Sequence, residues 1–362
     1  MDFGRIISGN EELLKRSYEA FEAQAVDQDL RGDLPMAIRP TQRTIQEPMV
    51  VKGPGTFFGK QTRTLRFEPT DREGWWFDRI DHPECLPVKV SIRNVWTTGD
   101  VVSNIVLRSG PKQNYIRLVE HIISLKMGFD IDNLMIKIDS GDPPLFNVGS
   151  MPIVEALEKA GRRDYEHPLS YATVKEKVSF VSPEGKFLIF EPVDLARPAL
   201  DIDCAIHFNN ALGLQRIQFP LNYDHFRHGA HARTNSSASK KLYCQTVGKL
   251  FADVRNLGYT KDNVLIAGKF RYTNEPQLFH EGKSLEAVWH RAILDLLAAV
   301  ALIDDGRLLG KISSYKAGHY LDCEAVKLLY QNDLVEEVQL PSVPLAASDP
   351  ASVESEVFRK TV

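Results

Sequence analysis

The stretch Trp289-His290-Arg291-Ala292-Ile293-Leu294-Asp295 stands inside an apolar segment, residues 285–303, that contains neither Gly nor Pro. A run of this length and composition predicts a long buried helix. His290 and Asp295 bring possible metal ligands into that helix. Five residues on an ideal α-helix span ~140° around its axis. The two side chains would therefore point in different directions unless the helix is irregular.

Two further stretches carry side chains of the same chemistry. Leu118-Val119-Glu120-His121 lies far upstream, and Ser314-Tyr315-Lys316-Ala317-Gly318-His319 follows the apolar segment. A hydrolytic zinc site needs three ligands and one position left for water. It also needs a carboxylate that takes the proton of the water and a group, often His, that protonates the leaving group. The three stretches contain all of these, but their spacing alone does not join them.

The bulk properties limit the possible partners and compartments. The chain has 362 residues, which favours about two domains, and its net charge of −4 gives no basic surface for nucleic acid. Its four Cys, at positions 85, 204, 244 and 323, are far apart and fit a reducing compartment better than a disulfide framework. No apolar run reaches the ~20 residues of a membrane span. We therefore expect a cytoplasmic protein, or an organellar one whose targeting segment has been removed, with no integral membrane segment.

Local patterns predict mixed α and β structure. Residues 42–110 alternate short apolar runs with turn residues, which is typical of β-strands. In residues 1–40 a helical pattern opens at Asn10 and is followed by a linker. Helices are predicted over 115–127, 153–160 and 240–257, and a strand over Leu134–Ile138. The polar stretch Gly161–Asp164 is the predicted domain boundary, and the tail 341–362 is predicted to be disordered.

An ordered series of short motifs resembles the UDP-3-O-acyl-N-acetylglucosamine deacetylase family, the zinc amidases of lipid A synthesis. The series runs Gln42-Arg43-Thr44-Ile45, Gly53-Pro54-Gly55, Val119-Glu120-His121, Gly128-Phe129-Asp130-Ile131-Asp132-Asn133, His207-Phe208-Asn209, Ala232-Arg233-Thr234, His290-Arg291, Leu309-Gly310 and Tyr315-Lys316-Ala317-Gly318-His319. No single motif is decisive, but their order and spacing cover most of the chain.

The resemblance implies an α+β fold with two similar domains. Each would be a β-α-α-β sandwich, with the active site at the interface between them. On this interpretation residues 41–163 form the first domain and 164–340 the second. Residues 1–40 would be an N-terminal extension, a helix and a linker, and 341–362 a disordered tail. A monomer is expected.

The same resemblance implies a set of site residues and a Zn²⁺ cofactor. The implied metal ligands are His121, His290 and Asp295. The implied catalytic residues are Glu120 as general base, His319 as general acid and Thr234 as the hydroxyl at the oxyanion. The implied substrate contacts are Phe208, Asn235, Arg291 and Lys316. Ala299 stands about where the family has an Asp that orients the general acid.

The spacing of His290 and Asp295 departs from the His-x-x-x-Asp pattern of the family. Leu294, which cannot bind zinc, occupies the fourth position after His290. One outcome is a π-bulge near Ala292, since one inserted residue would turn Asp295 back toward the metal. The other outcome is a lost ligand. We predict the bulge, because Asp295 would otherwise be an unpaired carboxylate in an apolar helix.

The implied function is a zinc-dependent hydrolase that deacetylates a UDP-linked 3-O-acyl-N-acetylglucosamine in lipid A biosynthesis. Two alternatives stay open. The chain could be a divergent, weakly active or inactive homologue that binds a sugar nucleotide or an acyl ligand. It could also deacetylate another acylated amino sugar. Zinc content separates the enzyme from the non-catalytic binder.

Overall fold

The structure is a computed structural model that describes residues 1–56, 61–98, 104–237 and 260–340. Strands and helices alternate along these ranges, which confirms the prediction of mixed α and β structure. The predicted helix over 240–257 and the predicted disordered tail 341–362 lie outside the described residues. In the described ranges, the helices lack the length and apolar character needed to cross a membrane.

A five-stranded sheet occupies most of the first half of the chain. Its strands, in spatial order, are Met49–Pro54, Thr62–Glu68, Leu134–Ile138, Trp75–Arg79 and Val88–Lys89. The middle strand pairs antiparallel with Thr62–Glu68 and parallel with Trp75–Arg79. Its Leu134, Ile136 and Ile138 are fully buried, as expected for alternate residues on one face. The β-rich prediction for 42–110 and the strand at 134–138 are thus confirmed.

A seven-stranded mixed sheet dominates the second half. Its strands, in spatial order, are Arg5–Ser8, Val178–Val181, Phe187–Glu191, Gly310–Tyr315, Leu200–His207, Leu214–Pro220 and Gln28–Asp29. Both outermost strands come from residues 1–40, here called the N-terminal segment. Its helix, Glu11–Glu22, is capped by the Asn10 side chain as the sequence predicts. The strands were not predicted, since two to four residues are too few for a recognisable alternation.

The remaining strands form small sheets. These are Tyr115–Arg117 with Val106–Arg108 and Val95–Thr97; Arg307–Leu308 with Tyr171–Val174 and Val335–Glu337; Thr41–Ile45 with Arg162–Pro168; Thr234–Ser237 with Val264–Ala267; and Phe279–His280 with Lys283–Ser284. One prediction is corrected here. The proposed helix over 115–127 begins as the strand Tyr115–Arg117, and Leu118, with a φ of 56°, turns the chain before the helix starts. The polar stretch Gly161–Asp164 leads into the strand Arg162–Pro168, and the domain boundary placed there stays a prediction.

The helices bring the two halves together. They are Glu11–Glu22, Glu120–Ile123, Leu125–Gly128, Met151–Ala160, Tyr223–Gly229, Glu286–Trp289, Leu297–Val300 and His319–Gln331, with a 3₁₀ turn at Ile92–Asn94 and a π-helix at His290–Leu296. Residues 286–300 form one continuous helical segment, here called the central helix. It packs against the strands Leu200–His207 and Leu214–Pro220 and against the short helices at 120–128. Its apolar side chains join the main core, which draws on both halves.

Candidate active site

One cleft, whose empty space of about 610 Å³ includes the open solvent at its mouth, contains every residue that the sequence predicts for metal binding or catalysis. These are Glu120, His121, Thr234, His290, Asp295 and His319. Much of the remaining lining is apolar and comes from Pro143, Pro144, Leu145 and Phe146. A tertiary arrangement therefore joins stretches that are up to 199 residues apart in the sequence, from Glu120 to His319.

Two histidine rings face each other in this cleft. The Nε2 atoms of His121 and His290 are 3.2 Å apart. The Thr234 hydroxyl oxygen lies 3.2 Å from each of them. Two nitrogens bound to one tetrahedral zinc at ~2.0–2.1 Å would be roughly 3.3 Å apart. The distance between the two Nε2 atoms is therefore compatible with a shared metal ion.

Burial keeps His121 in the neutral form. Loss of solvent, reinforced by the neighbouring His290, lowers the pKa of His121 to about 3. A neutral imidazole is the form that binds a metal. The Ser150 hydroxyl donates to the His121 carbonyl oxygen at 2.8 Å, and its oxygen is 3.5 Å from the ring Nδ1. Ser150 thus restrains the residue from the side opposite Nε2.

The central helix is irregular at the predicted place. Residues His290–Leu296 form a π-helix between two α-helical turns, which confirms the predicted irregularity. A π-turn advances the chain by more residues per turn than an α-turn. As a result, Asp295 points to the same side as His290, with Oδ1 3.4 Å from His290 Nδ1 and 3.5 Å from His319 Nε2. Leu294, at the position of the Asp in the His-x-x-x-Asp pattern of the family, is fully buried.

The Asp295 carboxylate is ionised in this setting. Although burial disfavours the charge, the adjacent His290 and His319 hold the pKa of Asp295 well below its usual range. The Oδ1 atom is buried and accepts no hydrogen bond among the described residues. A buried anionic oxygen without a donor is a group that a cation would stabilise.

Glu120 begins the helix that also carries His121. Its side chain is 3% exposed, and its Oε1 accepts the Ile105 backbone N–H at 2.5 Å. Burial raises the pKa of Glu120 to about 8. A dication in the cleft would lower that pKa, because it favours the carboxylate form. Oε1 also lies 3.4 Å from His319 Nε2, so the two side chains face the same space.

His319 is the first residue of the helix His319–Gln331. Burial is the main cause that lowers the pKa of its ring, and the Asp295 carboxylate opposes this. Its Nδ1 is buried and has no hydrogen-bond partner among the described residues. Ala299, at the position of the family's orienting Asp, is 1% exposed and offers no carboxylate. The Glu120 and Asp295 carboxylates lie 3.4 Å and 3.5 Å from His319 Nε2, so both carboxylates face the ring on its Nε2 side.

The four predicted substrate contacts lie outside the lining of the cleft. Phe208 follows the strand Leu200–His207 and is 40% exposed, so it is not a core residue. Asn235 and Lys316 are partly exposed. Arg291 is 5% exposed and donates to Asp322 Oδ1 at 2.5 Å and to Ser314 Oγ at 3.2 Å. Its guanidinium therefore lies behind the cleft, where it neutralises a buried carboxylate.

The fit of a zinc ion can be judged from the donor set. Two imidazoles and one carboxylate are suitable ligands for a catalytic zinc. However, no three His, Cys, Asp or Glu side chains in the described ranges are arranged as a complete metal site. The two Nε2 atoms are in position, whereas Asp295 Oδ1 lies against the Nδ1 side of His290. The residue types fit zinc, and the three-ligand arrangement stays a prediction.

Two contributors to the site carry little signal in the sequence. Ser150 donates to the His121 carbonyl oxygen, and the Ile105 backbone N–H donates to Glu120.

Gly149 has a φ of 59°, and a Cβ there would lie 2.3 Å from the Ala230 carbonyl oxygen. The loop before Ser150 can therefore approach residues 230–232 only with Gly at this position.

A family model and several curated relatives match this chain. A family model described as UDP-3-O-acyl N-acetylglycosamine deacetylase matches residues 42–331. The chain belongs to this deacetylase family. The match begins just after the N-terminal segment and ends with the helix that His319 opens, so it includes the entire cleft lining.

Curated relatives carry the corresponding name. A UDP-3-O-acyl-N-acetylglucosamine deacetylase of Hahella chejuensis is 28% identical over 299 residues, which cover 82% of this chain and 93% of the relative. A protein of the same name from Thioalkalivibrio sulfidiphilus is 27% identical over 318 residues, covering 86% and 98%. One from Aliarcobacter butzleri is 24% identical over 300 residues, covering 82% and 92%. The likeness thus extends over nearly the full length of these deacetylases.

Proposed function

We propose that this protein is a zinc-dependent amide hydrolase that deacetylates a UDP-linked 3-O-acyl-N-acetylglucosamine in lipid A biosynthesis. The observation that carries the proposal is the convergence of Glu120, His121, Thr234, His290, Asp295 and His319 on one cleft. Membership of the deacetylase family and the names of the relatives supply the substrate class.

His121, His290 and Asp295 would hold the zinc ion. When bound, zinc lowers the pKa of a water molecule to ~7 and polarises a carbonyl group. The 3.2 Å separation of the two Nε2 atoms supports this, and the Asp295 carboxylate would turn toward them. The π-helix supports this role, because it puts Asp295 on the His290 side of the central helix.

The protein residues divide the proton transfers between them. Glu120, fixed by the Ile105 N–H, takes a proton from the water as the water attacks the acetyl carbonyl carbon. The Thr234 hydroxyl donates to the oxygen that becomes negative. The C–N bond then breaks, and His319, whose protonated form the nearby Asp295 carboxylate favours against the effect of burial, gives a proton to the departing amine. The products are acetate and the free amino sugar.

The apolar side of the cleft supports an acylated substrate. Pro143, Pro144, Leu145 and Phe146 offer a surface on which a hydrocarbon chain would lose contact with water. Phe208, Asn235 and Lys316 stay candidates for contacts with the nucleotide sugar. The buried Arg291 is better suited to holding Asp322 than to binding substrate.

A second candidate is a homologue that binds the substrate with little or no turnover. The unpartnered Nδ1 of His319 and the absence of a carboxylate at Ala299 favour it. A carboxylate at Nδ1 normally fixes the tautomer and raises the basicity of such a histidine. Deacetylation of another acylated amino sugar is the third possibility.

The finer architecture belongs to the same proposal. We infer two domains, residues 41–163 and 164–340, each a β-α-α-β sandwich, with the site at their interface. The position of one large sheet in each half of the chain supports this division. A monomer in the cytoplasm is the expected state.

The test is a deacetylation assay with the purified full chain. UDP-3-O-acyl-N-acetylglucosamine is incubated with the protein, and the free amine formed is measured along with the zinc per chain. We expect turnover with about one zinc per chain, loss of turnover after chelation, and recovery when zinc is returned. Bound zinc without turnover on any acylated amino sugar would support the non-catalytic binder.

A further inference from the structure

A buried ion pair lies directly behind the cleft. The side chains of Arg233 and Glu286 are 4% and 0% exposed, and Arg233 Nε lies 2.7 Å from Glu286 Oε1. Arg233 Nη2 donates to Oε2 at 3.1 Å, and the Arg233 backbone N–H donates to Oε1 at 3.0 Å. One carboxylate thus holds both the side chain and the main chain of Arg233.

The pair is also fixed to the segment that precedes the central helix. The Gln277 backbone N–H donates to Glu286 Oε2 at 2.6 Å, and Arg233 Nη2 donates to the Glu275 carbonyl oxygen at 2.7 Å. Both carboxylate oxygens therefore accept hydrogen bonds from two directions. Such a multiply bonded, charge-assisted contact leaves little freedom to the two backbones that it joins.

The two partners are direct neighbours of site residues. Arg233 precedes Thr234 in the chain, and Glu286 lies one helical turn before His290 on the central helix. The Thr234 hydroxyl and His290 Nε2 are 3.2 Å apart. The ion pair therefore joins their two backbones one residue before Thr234 and one helical turn before His290. The strand Thr234–Ser237 pairs only with Val264–Ala267 among the described strands. The ion pair thus ties the residue before this strand to the central helix.

We propose that Arg233 and Glu286 are positioning residues that hold the Thr234 hydroxyl against the Nε2 atoms of His290 and His121. This inference rests on the proposed function, in which Thr234 donates to the developing oxyanion. A buried ion pair gives little net stability compared with apolar side chains of the same volume. A displacement of ~1 Å at a reacting group, by contrast, can cost about 10²-fold in rate.

The decisive experiment is a double-mutant cycle on kcat with Glu286→Gln and Thr234→Ala. Glu286→Gln in the parent should lower kcat by about 10²-fold. In the Thr234→Ala background the same change should lower kcat by no more than about 3-fold, because the hydroxyl that it positions is already gone. An equal loss in both backgrounds would overturn the proposal and leave Glu286 with a purely structural role.

Two further variants keep the test independent of folding. Glu286→Asp retains the charge that Arg233 needs and replaces Glu286→Gln in the cycle if the latter does not fold. Asp203→Asn removes one partner of the buried Arg216–Asp203 pair, whose side chains are 5% and 6% exposed and which ties down the N-terminal segment. It should lower the melting temperature with kcat unchanged. A comparable fall in kcat for Asp203→Asn would also count against the proposal.

A structural readout separates this inference from the proposed function. If the parent shows no deacetylation, the proposed function fails and the crystal structure of Glu286→Asp decides the positioning role. We expect the Thr234 hydroxyl to move away from His290 Nε2 by roughly 0.5 Å or more. The reason is that the shorter Asp side chain changes the distance between the Arg233 backbone and the central helix. An unchanged Thr234 position would overturn the inference.

Discussion

Replacing Glu120 with Gln separates a general base from a metal ligand. Gln keeps the shape of the side chain and an oxygen that accepts the Ile105 N–H, but it cannot take a proton. A positioned base typically contributes about 10²–10⁴-fold, or about 3–5 kcal/mol of activation free energy. We therefore expect kcat to fall by that factor, with zinc content unchanged, since no zinc ligand is removed.

The fold should tolerate this change. Glu120 is 3% exposed, and burial raises its pKa to about 8, so its site already favours an uncharged side chain. The free energy of unfolding of the metal-free variant should stay within about 1 kcal/mol of the parent. Urea denaturation of the metal-free proteins checks this directly.

The assay compares Glu120→Gln with a matched Glu→Gln change outside the cleft. Glu158 lies on the helix Met151–Ala160 and binds Arg227 at 2.8 Å. Glu158→Gln should turn over the UDP-linked substrate at the parent rate. If Glu120→Gln also does so, Glu120 is not the base. If it loses its zinc instead, Glu120 is a ligand and the assignment of the three metal-binding residues is wrong.

Three other predictions test the metal site, the N-terminal segment and a buried amine. Asp295→Ala should weaken zinc binding by at least about 100-fold, measured by competition with a chelator; unchanged affinity would show that Asp295 is no ligand. Phe21→Ala should lower the free energy of unfolding by about 3–5 kcal/mol in urea, because Phe21 is 1% exposed. Burial lowers the pKa of Lys126 to about 8. The unfolded chain therefore binds more protons above that pH, and stability relative to Lys126→Met should rise by about 3 kcal/mol between roughly pH 8 and pH 10.5. A flat difference across this range would contradict the lowered pKa.

Several elements could be predicted from local pattern alone. The helix Glu11–Glu22 has its cap and its apolar spacing in one short window, and the strand Leu134–Ile138 alternates buried residues. The irregular central helix follows from local spacing only together with the family resemblance, because His290 and Asp295 depart from the His-x-x-x-Asp pattern of that family. In each case the deciding residues are neighbours in sequence.

Other features depended on contacts between distant residues. The sequence of the strand Tyr115–Arg117 predicts a helix, because its apolar residues fit the period of a helix as well as that of a strand. Antiparallel pairing with Val106–Arg108 makes it a strand. The N-terminal segment reads as a helix and a linker, yet it supplies both edge strands of the seven-stranded sheet. Such short strands have no local signal and exist because the neighbouring strands offer unpaired backbone groups.

The site divides in the same way. The sequence by itself determined which residue types were available for zinc chemistry, and the order of the motifs identified their family. Only the tertiary structure decided that His121 and His290 face each other at 3.2 Å, that Arg291 is buried against Asp322, and that the Arg233–Glu286 pair lies behind Thr234. The physical reason is that a side chain's role depends on which charges and donors surround it once water is excluded. Those neighbours come from parts of the chain that no local window contains.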